Sequence, residues 1–105
     1  MRKEEIDISL VHVAEVCIVT DHAERVAADI CKRVRDYCLS TEISALKARL
    51  SFEGAEAMMT SAEEGLHIRV ETRDLVMLHG VRILLQMAIS KVASSLQTRT
   101  DWHAP

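Results

Sequence analysis

DLVMLHGVRILLQMAISKVASSL, residues Asp74–Leu96, is a largely apolar segment long enough for a helix of about six turns. Its apolar residues go nearly all the way round such a helix, whereas a surface helix normally has one apolar stripe. They are Leu75, Val76, Met77, Leu78, Val81, Ile83, Leu84, Leu85, Met87, Ala88, Ile89, Val92, Ala93 and Leu96. We therefore expect the helix to be covered on two sides, one of them by a second subunit or partner.

The same segment is interrupted by polar residues. His79, Arg82 and Lys91 lie within it, and such side chains are costly inside lipid. We therefore expect a soluble helix and no contact with a membrane.

Composition places the chain among single-domain proteins. A length of 105 residues, 49% of them hydrophobic, is enough for one domain with its own core, spanning 1–105 with a frayed polar tail over about 97–105. Only three residues are aromatic (Tyr37, Phe52 and Trp102), which argues against sites built by base or sugar stacking. The net charge of −3 is spread over interspersed acidic and basic residues, which argues against nucleic acid as a partner.

The cysteines and the N-terminus indicate the compartment. Cys17, Cys31 and Cys38 are odd in number and have no disulfide-framework spacing. The charged N-terminus leads into a strand-like run without an apolar signal core. Both features predict reduced thiols and a cytoplasmic location.

Periodicity predicts the elements along the chain. Strands alternate apolar and polar residues, and helices repeat them at three and four residues. The predicted strands are Ser9–Thr20, Ile43–Glu53, Ala55–Ser61 and Leu66–Thr72, and the predicted helices are about Ala23–Leu39 and Asp74–Leu96. Asp21 is the predicted N-cap of the first helix, and either Thr72 or Asp74 that of the second.

The order of these elements is β-α-β-β-β-α. Ser40–Glu42 is expected to break the first helix, and Ala62–Gly65 to form a hairpin loop. The last three strands are joined by short loops, so they should form an antiparallel meander. We predict an α+β fold, a two-layer sandwich in which both helices lie on one face of a four-stranded, mainly antiparallel sheet.

Two blocks of the chain resemble an uncharacterised bacterial family, the domain-of-unknown-function family 2218. The first is Ala14–Thr20 running into Ile30–Arg33, and the second is Gly65–Glu71 followed by Asp74 and Leu75. The resemblance implies a small α+β domain with a loose link to iron uptake, because the family is sometimes fused to siderophore-interacting proteins. It implies no reaction.

The chain departs from that family at two positions of the first helix. Arg33 stands where the family has a histidine, and Val26 where it has an aromatic residue. Any role of the histidine would be missing from this chain.

Polar residues on the predicted sheet form one candidate site. His67, Arg69 and Glu71 share the outward face of one strand, and Arg49 lies on a nearby strand. These residues are candidates for binding an anionic small molecule. The alternative is an ordinary solvated sheet face.

A second candidate is the thiol of Cys31. Lys32 and Arg33 follow it, and neighbouring cations lower a thiol pKa if the group is exposed. The alternative is a core cysteine. Cys38, seven residues away on the helix, is too far for a disulfide, at about 10.5 Å between Cα atoms. The five histidines show no ligand spacing, so we expect no metal and no cofactor.

The long helix supplies the candidate interface. We expect contacts with a second copy through Met77, Val81, Leu84, Leu85 and Ala88, or through the opposite stripe. Gly80, inside the helix, costs about 1 kcal/mol relative to Ala. Either it permits close approach of another helix or strand, or it is simply tolerated.

Three functional hypotheses follow. The first is a non-enzymatic, homodimeric binding or accessory module. The second, implied only by the family resemblance, is a ligand- or metal-handling accessory protein linked to iron and siderophore metabolism. The third is a small enzyme that uses Cys31 or a histidine, although the sequence contains no Gly-x-Ser-x-Gly elbow.

Overall fold

Five strands and two helices form the fold that the computed structural model describes for residues 11–92 and 102–104. In chain order they are β1 (His12–Val19), α1 (Ala23–Val34), β2 (Ser40–Ile43), β3 (Lys47–Phe52), β4 (Ala55–Ala62), β5 (Gly65–Thr72) and α2 (Leu75–Val92). A single 3-10 turn, Arg35–Tyr37, extends α1.

The strands form one antiparallel sheet in the order β1-β5-β4-β3-β2. Paired residues project to the same face, so the register aligns Val16 with Ile68 and Ile68 with Met59 in one apolar row. The buried apolar side chains of the strands all belong to this face: Ala14, Val16, Ile18, Ala48, Leu50, Phe52, Ala57, Met59, Leu66, Ile68 and Val70.

Both helices cover this apolar face. α1 packs against β3, β4 and β5, and α2 packs against β1, β4 and β5 as well as against α1. The strongly amphipathic α1 buries Val26, Ile30 and Val34 there. The result is a two-layer arrangement in which no element of residues 11–92 and 102–104 covers the other face of the sheet, called the open face below.

The α+β class and the antiparallel sheet are confirmed, but the predicted count of four strands is wrong. Ser40–Glu42, predicted as a break, lies in the edge strand β2, which also includes Ile43. Of the predicted strand Ile43–Glu53, only Lys47–Phe52 forms β3, because the chain turns between Ile43 and Lys47. β2 is short and largely exposed. An edge strand of this kind has little reason to alternate apolar and polar residues, and its composition therefore resembles that of a loop.

The ends of α1 also differ from expectation. His22, not Asp21, precedes the helix, and no side chain caps it. The Thr20 hydroxyl instead accepts a 3.0 Å hydrogen bond from the His22 N–H. The regular helix ends at Val34 and not at Leu39.

The start of α2 agrees with one of the two predicted N-caps, Asp74. Asp74 caps it, since the Asp74 carboxylate accepts a 2.9 Å hydrogen bond from the Val76 N–H. Thr72 supports the cap by donating to the Asp74 carbonyl at 2.7 Å. The predicted end of this helix, residues 93–96, and the predicted start of the first strand, residues 9–10, lie outside the described residues.

Two residues near the C-terminus, Trp102 and His103, contact the helix layer and the sheet respectively. Glu15 of β1 and His103 exchange backbone hydrogen bonds of 2.7 and 2.9 Å. The Trp102 indole N–H donates to the side chain of Gln86 at 3.0 Å, and the Arg82 guanidinium lies 5.6 Å from the centre of the Trp102 ring. Residues 102–104 therefore lie along the outer edge of β1, while 97–101 and 105 of the predicted tail lie outside the described residues.

Candidate functional site

The open face of the sheet brings the four predicted polar residues onto one surface. His67, Arg69 and Glu71 alternate along β5. The register places Arg69 beside Met58 of β4, and Met58 beside Arg49 of β3. The sequence prediction that these side chains share a face agrees with this geometry, although Met58 separates the two arginines.

The two arginines of this face are already engaged by carboxylates. Arg69 donates to Glu71 at 2.8 Å and to Glu15 at 2.7 Å, and these two hydrogen bonds raise the pKa of Arg69 above its ordinary value. Arg49 lies 3.7 Å from Glu56. Because such half-exposed pairs contribute only about 0–1 kcal/mol each, an anionic ligand would compete with them at modest cost.

A smaller cluster lies at the β4–β5 turn. The His67 ring nitrogen Nε2 is 2.9 Å from the Glu64 carboxylate and 3.8 Å from the Cys17 sulfur. The hydrogen bond from His67 lowers the pKa of Glu64, whereas desolvation and the Glu64 charge raise the pKa of Cys17. A raised pKa favours the protonated thiol of Cys17 over the thiolate that acts as a nucleophile.

This cluster joins residues far apart in sequence, and the register of β1 on β5 creates it. The alternation of apolar and polar residues within each strand does not reveal this cluster, because it does not show which residues of β1 and β5 are paired.

Within residues 11–92 and 102–104, no group of three or more His, Cys, Asp or Glu side chains is arranged to hold a metal ion.

Cys31 lies in the core, with 4% of its surface exposed. Burial, and to a lesser extent the neighbouring Cys38, raise its pKa to about 11. A reactive thiol was predicted only if Cys31 were exposed, and Cys31 is buried. Lys32 and Arg33 are exposed whereas Cys31 packs inward, so their side chains are directed away from its thiol.

The α2 residues predicted for an interface mostly belong to the protein's own core. Val81, Leu85 and Ala88 are buried between α2 and the rest of the fold, and Met77 and Leu84 pack beside them, partly buried. That stripe faces inward, so its buried members are not available to a second copy.

The opposite stripe of α2 is apolar and exposed. Val76, Ile83 and Met87 are 77%, 60% and 59% exposed, and at about 100° per residue they lie on the side of the helix opposite Leu85. Gly80 lies among them, and a Cβ placed on it would meet no heavy atom of the described part of the chain within 4 Å. The spacing of three and four residues was already visible in the sequence, but the sequence did not show which stripe the sheet would cover.

α2 also meets the length and composition of a membrane-spanning helix. Leu75–Val92 has a mean hydropathy of 1.4, and 28% of it is buried inside the fold. Core helices of soluble proteins can have the same length and hydropathy. In this chain Leu78, Leu85 and Ile89 are buried in the core, so a membrane-spanning position would require α2 to leave its sheet.

Comparison with known proteins supports the fold alone. No family model and no curated protein matches the chain. Its structure is similar to the NMR structure of PA4090 from Pseudomonas aeruginosa, with a TM-score of 0.71 and 13% sequence identity, over 88% of this chain and 95% of that chain. The resemblance to family 2218 stays a prediction.

Proposed function

We propose that the protein is a non-enzymatic binding or accessory module that works as a homodimer joined through the exposed stripe of α2. The observation that carries the proposal is the apolar stripe of Val76, Ile83 and Met87 around the bare backbone of Gly80. Exposed apolar surface of this kind is characteristic of interaction sites.

The energetics of the stripe favour association of modest strength. Val76, Ile83 and Met87 are between 59% and 77% exposed, so burying what is exposed contributes about 1–2 kcal/mol for each. Both copies together gain about 6–12 kcal/mol, against an association cost of about 4–15 kcal/mol. Flanking contacts therefore decide the outcome, and even the most favourable balance, about 8 kcal/mol, gives a dissociation constant no tighter than about 1 μM.

An antiparallel second copy fits the stripe because Gly80 leaves the backbone bare beside Ile83. Two copies of α2 paired about this point would seat Ile83 of one copy over Gly80 of the other, where no side chain obstructs it.

Light scattering coupled to size-exclusion chromatography tests the proposal. The wild-type chain should elute as a dimer, and Ile83→Glu and Met87→Glu should each elute as monomers. Val19→Glu is the matched control, since Val19 is 71% exposed on β1 and away from the stripe. A wild-type chain that stays monomeric up to millimolar concentration would exclude the dimer, and loss of the dimer in the control would exclude this interface.

The alternative function, in ligand or metal handling linked to iron and siderophore metabolism, has only the family resemblance in its support. No contact among the described residues favours it, and it stays a prediction, as does the cytoplasmic location. A thermal-shift screen with iron, zinc and siderophores would test it.

A further inference from the structure

The two edges of the sheet differ in whether another part of the described chain pairs with them. The outer edge of β1 pairs with His103. β2 forms the other edge, and no segment within residues 11–92 and 102–104 pairs with its outer side. Natural proteins usually protect such edges, because unpaired backbone groups bind other strands.

The register shows which backbone groups of β2 point outward. Ser44 donates to the Lys47 carbonyl at 2.8 Å, and Glu42 is aligned with Arg49 in the same antiparallel pair. Hydrogen-bonded and non-hydrogen-bonded pairs alternate in an antiparallel ladder. The backbone groups of Thr41 and Ile43 are therefore directed away from β3, where only an extended chain can pair with them.

Apolar surface surrounds this edge. Leu39, Ile43 and Leu46 are 73%, 67% and 54% exposed. On the helix side a groove of about 200 Å³ separates β2 and β3 from α1, with Ala27 and Ala28 among its lining residues. Their small side chains leave room for an apolar side chain from an added strand.

Charge distinguishes the possible occupants. Glu42 projects to the open face, with Arg49 opposite it on β3. A second copy paired in the register centred on Glu42 would place two Glu42 carboxylates opposite each other, and like charges directly opposite destabilise a strand pair. A basic residue at that position would instead place an opposite charge beside Glu42.

We propose that the outer edge of β2 binds an extended segment of another protein, with a basic residue opposite Glu42 and an apolar residue on each side of it. The two apolar residues pair with the backbones of Thr41 and Ile43 and project toward the groove beside α1. Backbone pairing supplies affinity, and Glu42 and the groove supply selectivity. α2 packs on β1, β4 and β5, so this surface is separate from the proposed dimer stripe.

Titration of the ¹⁵N-labelled full chain with an acetylated, amidated peptide Thr-Val-Lys-Val-Thr tests the inference by NMR. Saturable shifts are expected at the amides of Thr41, Ile43 and Ala28. The peptide with Glu in place of Lys should bind about threefold to tenfold more weakly. Glu42→Lys should reverse this preference, and Ile83→Glu, which breaks only the proposed dimer, should leave it unchanged.

Two methylated peptides provide the matched control. N-methylation of both Val amides removes the donors that face β2 and should abolish the shifts, whereas N-methylation of the Lys amide, which faces solvent, should not. Absence of shifts up to millimolar peptide, or equal binding of the two methylated peptides, would overturn the inference. Shifts at Thr41 and Ile43 that depend on protein concentration without peptide would assign the edge to a second copy and overturn it as well.

Discussion

Gly80→Ala separates the stability of the folded chain from its association. Gly80 lies inside α2 without a positive φ, and a Cβ added there meets nothing of the described chain within 4 Å. The substitution should therefore gain the helix propensity of Ala, about 0.8–1 kcal/mol, with no steric cost in the monomer. For a domain of this size that corresponds to a rise in Tm of about 4–8 °C.

The same methyl group should weaken the dimer, because it occupies the position over which Ile83 of the second copy is proposed to lie. Urea unfolding followed by circular dichroism, at concentrations where the chain is monomeric, should show a higher midpoint with an unchanged slope. Sedimentation equilibrium should show a larger dissociation constant. Gly54→Ala is the control of opposite sign, since Gly54 has φ 81° and should lose about 1–2 kcal/mol.

Two results would refute this reasoning. A loss of unfolding free energy in monomeric Gly80→Ala would mean that Gly80 lies against something other than solvent. A tighter dimer would place the interface away from Gly80, and the antiparallel pairing of α2 would then be wrong.

Three further predictions concern the fold. Gly65→Ala should lower the free energy of unfolding by more than about 2 kcal/mol in urea, because Gly65 has φ 151° and a Cβ would overlap the backbone of β1. A loss below about 1 kcal/mol, the cost of a tolerated substitution, would contradict that packing. Burial raises the pKa of the Cys31 thiol from 9.0 to about 11. As the pH rises, the thiol therefore loses its proton in the unfolded chain before it does so in the folded chain. The free energy of unfolding should fall by about 2 kcal/mol between these two pH values. Cys31→Ala should flatten that fall, and an equal fall in the variant would assign it to other groups. Trp102→Ala should speed amide hydrogen exchange at Glu15, whose N–H donates to the backbone beside Trp102, and unchanged exchange would show that the edge pairing does not depend on the indole.

Local patterns predicted the core of this fold well. Strict alternation over Leu66–Thr72 identified β5 and its buried face, and the three-and-four repeat identified α1. These predictions succeed because one face of each element is apolar and the other is polar.

Other features depend on tertiary register, which no local pattern contains. Arg69 reaches Glu15 across 54 positions of sequence only because β1 pairs with β5. For α2, apolar residues lie on both sides of the helix, so the sequence did not determine that Val81 and Leu85 would face inward and Ile83 outward. The edge strand β2 was missed because it buries too little to need an apolar pattern.

The pairing of His103 with β1 limits how far the sheet can extend. A sheet with two open edges can accept a strand at each and pass the pattern from molecule to molecule, as fibrils do. His103 already pairs with Glu15, so a strand of another molecule cannot pair with β1 at that point. Copies of this chain therefore cannot stack β2 on β1 in an unbroken ladder, and growth into an indefinite array by that route would first require residues 102–104 to leave β1.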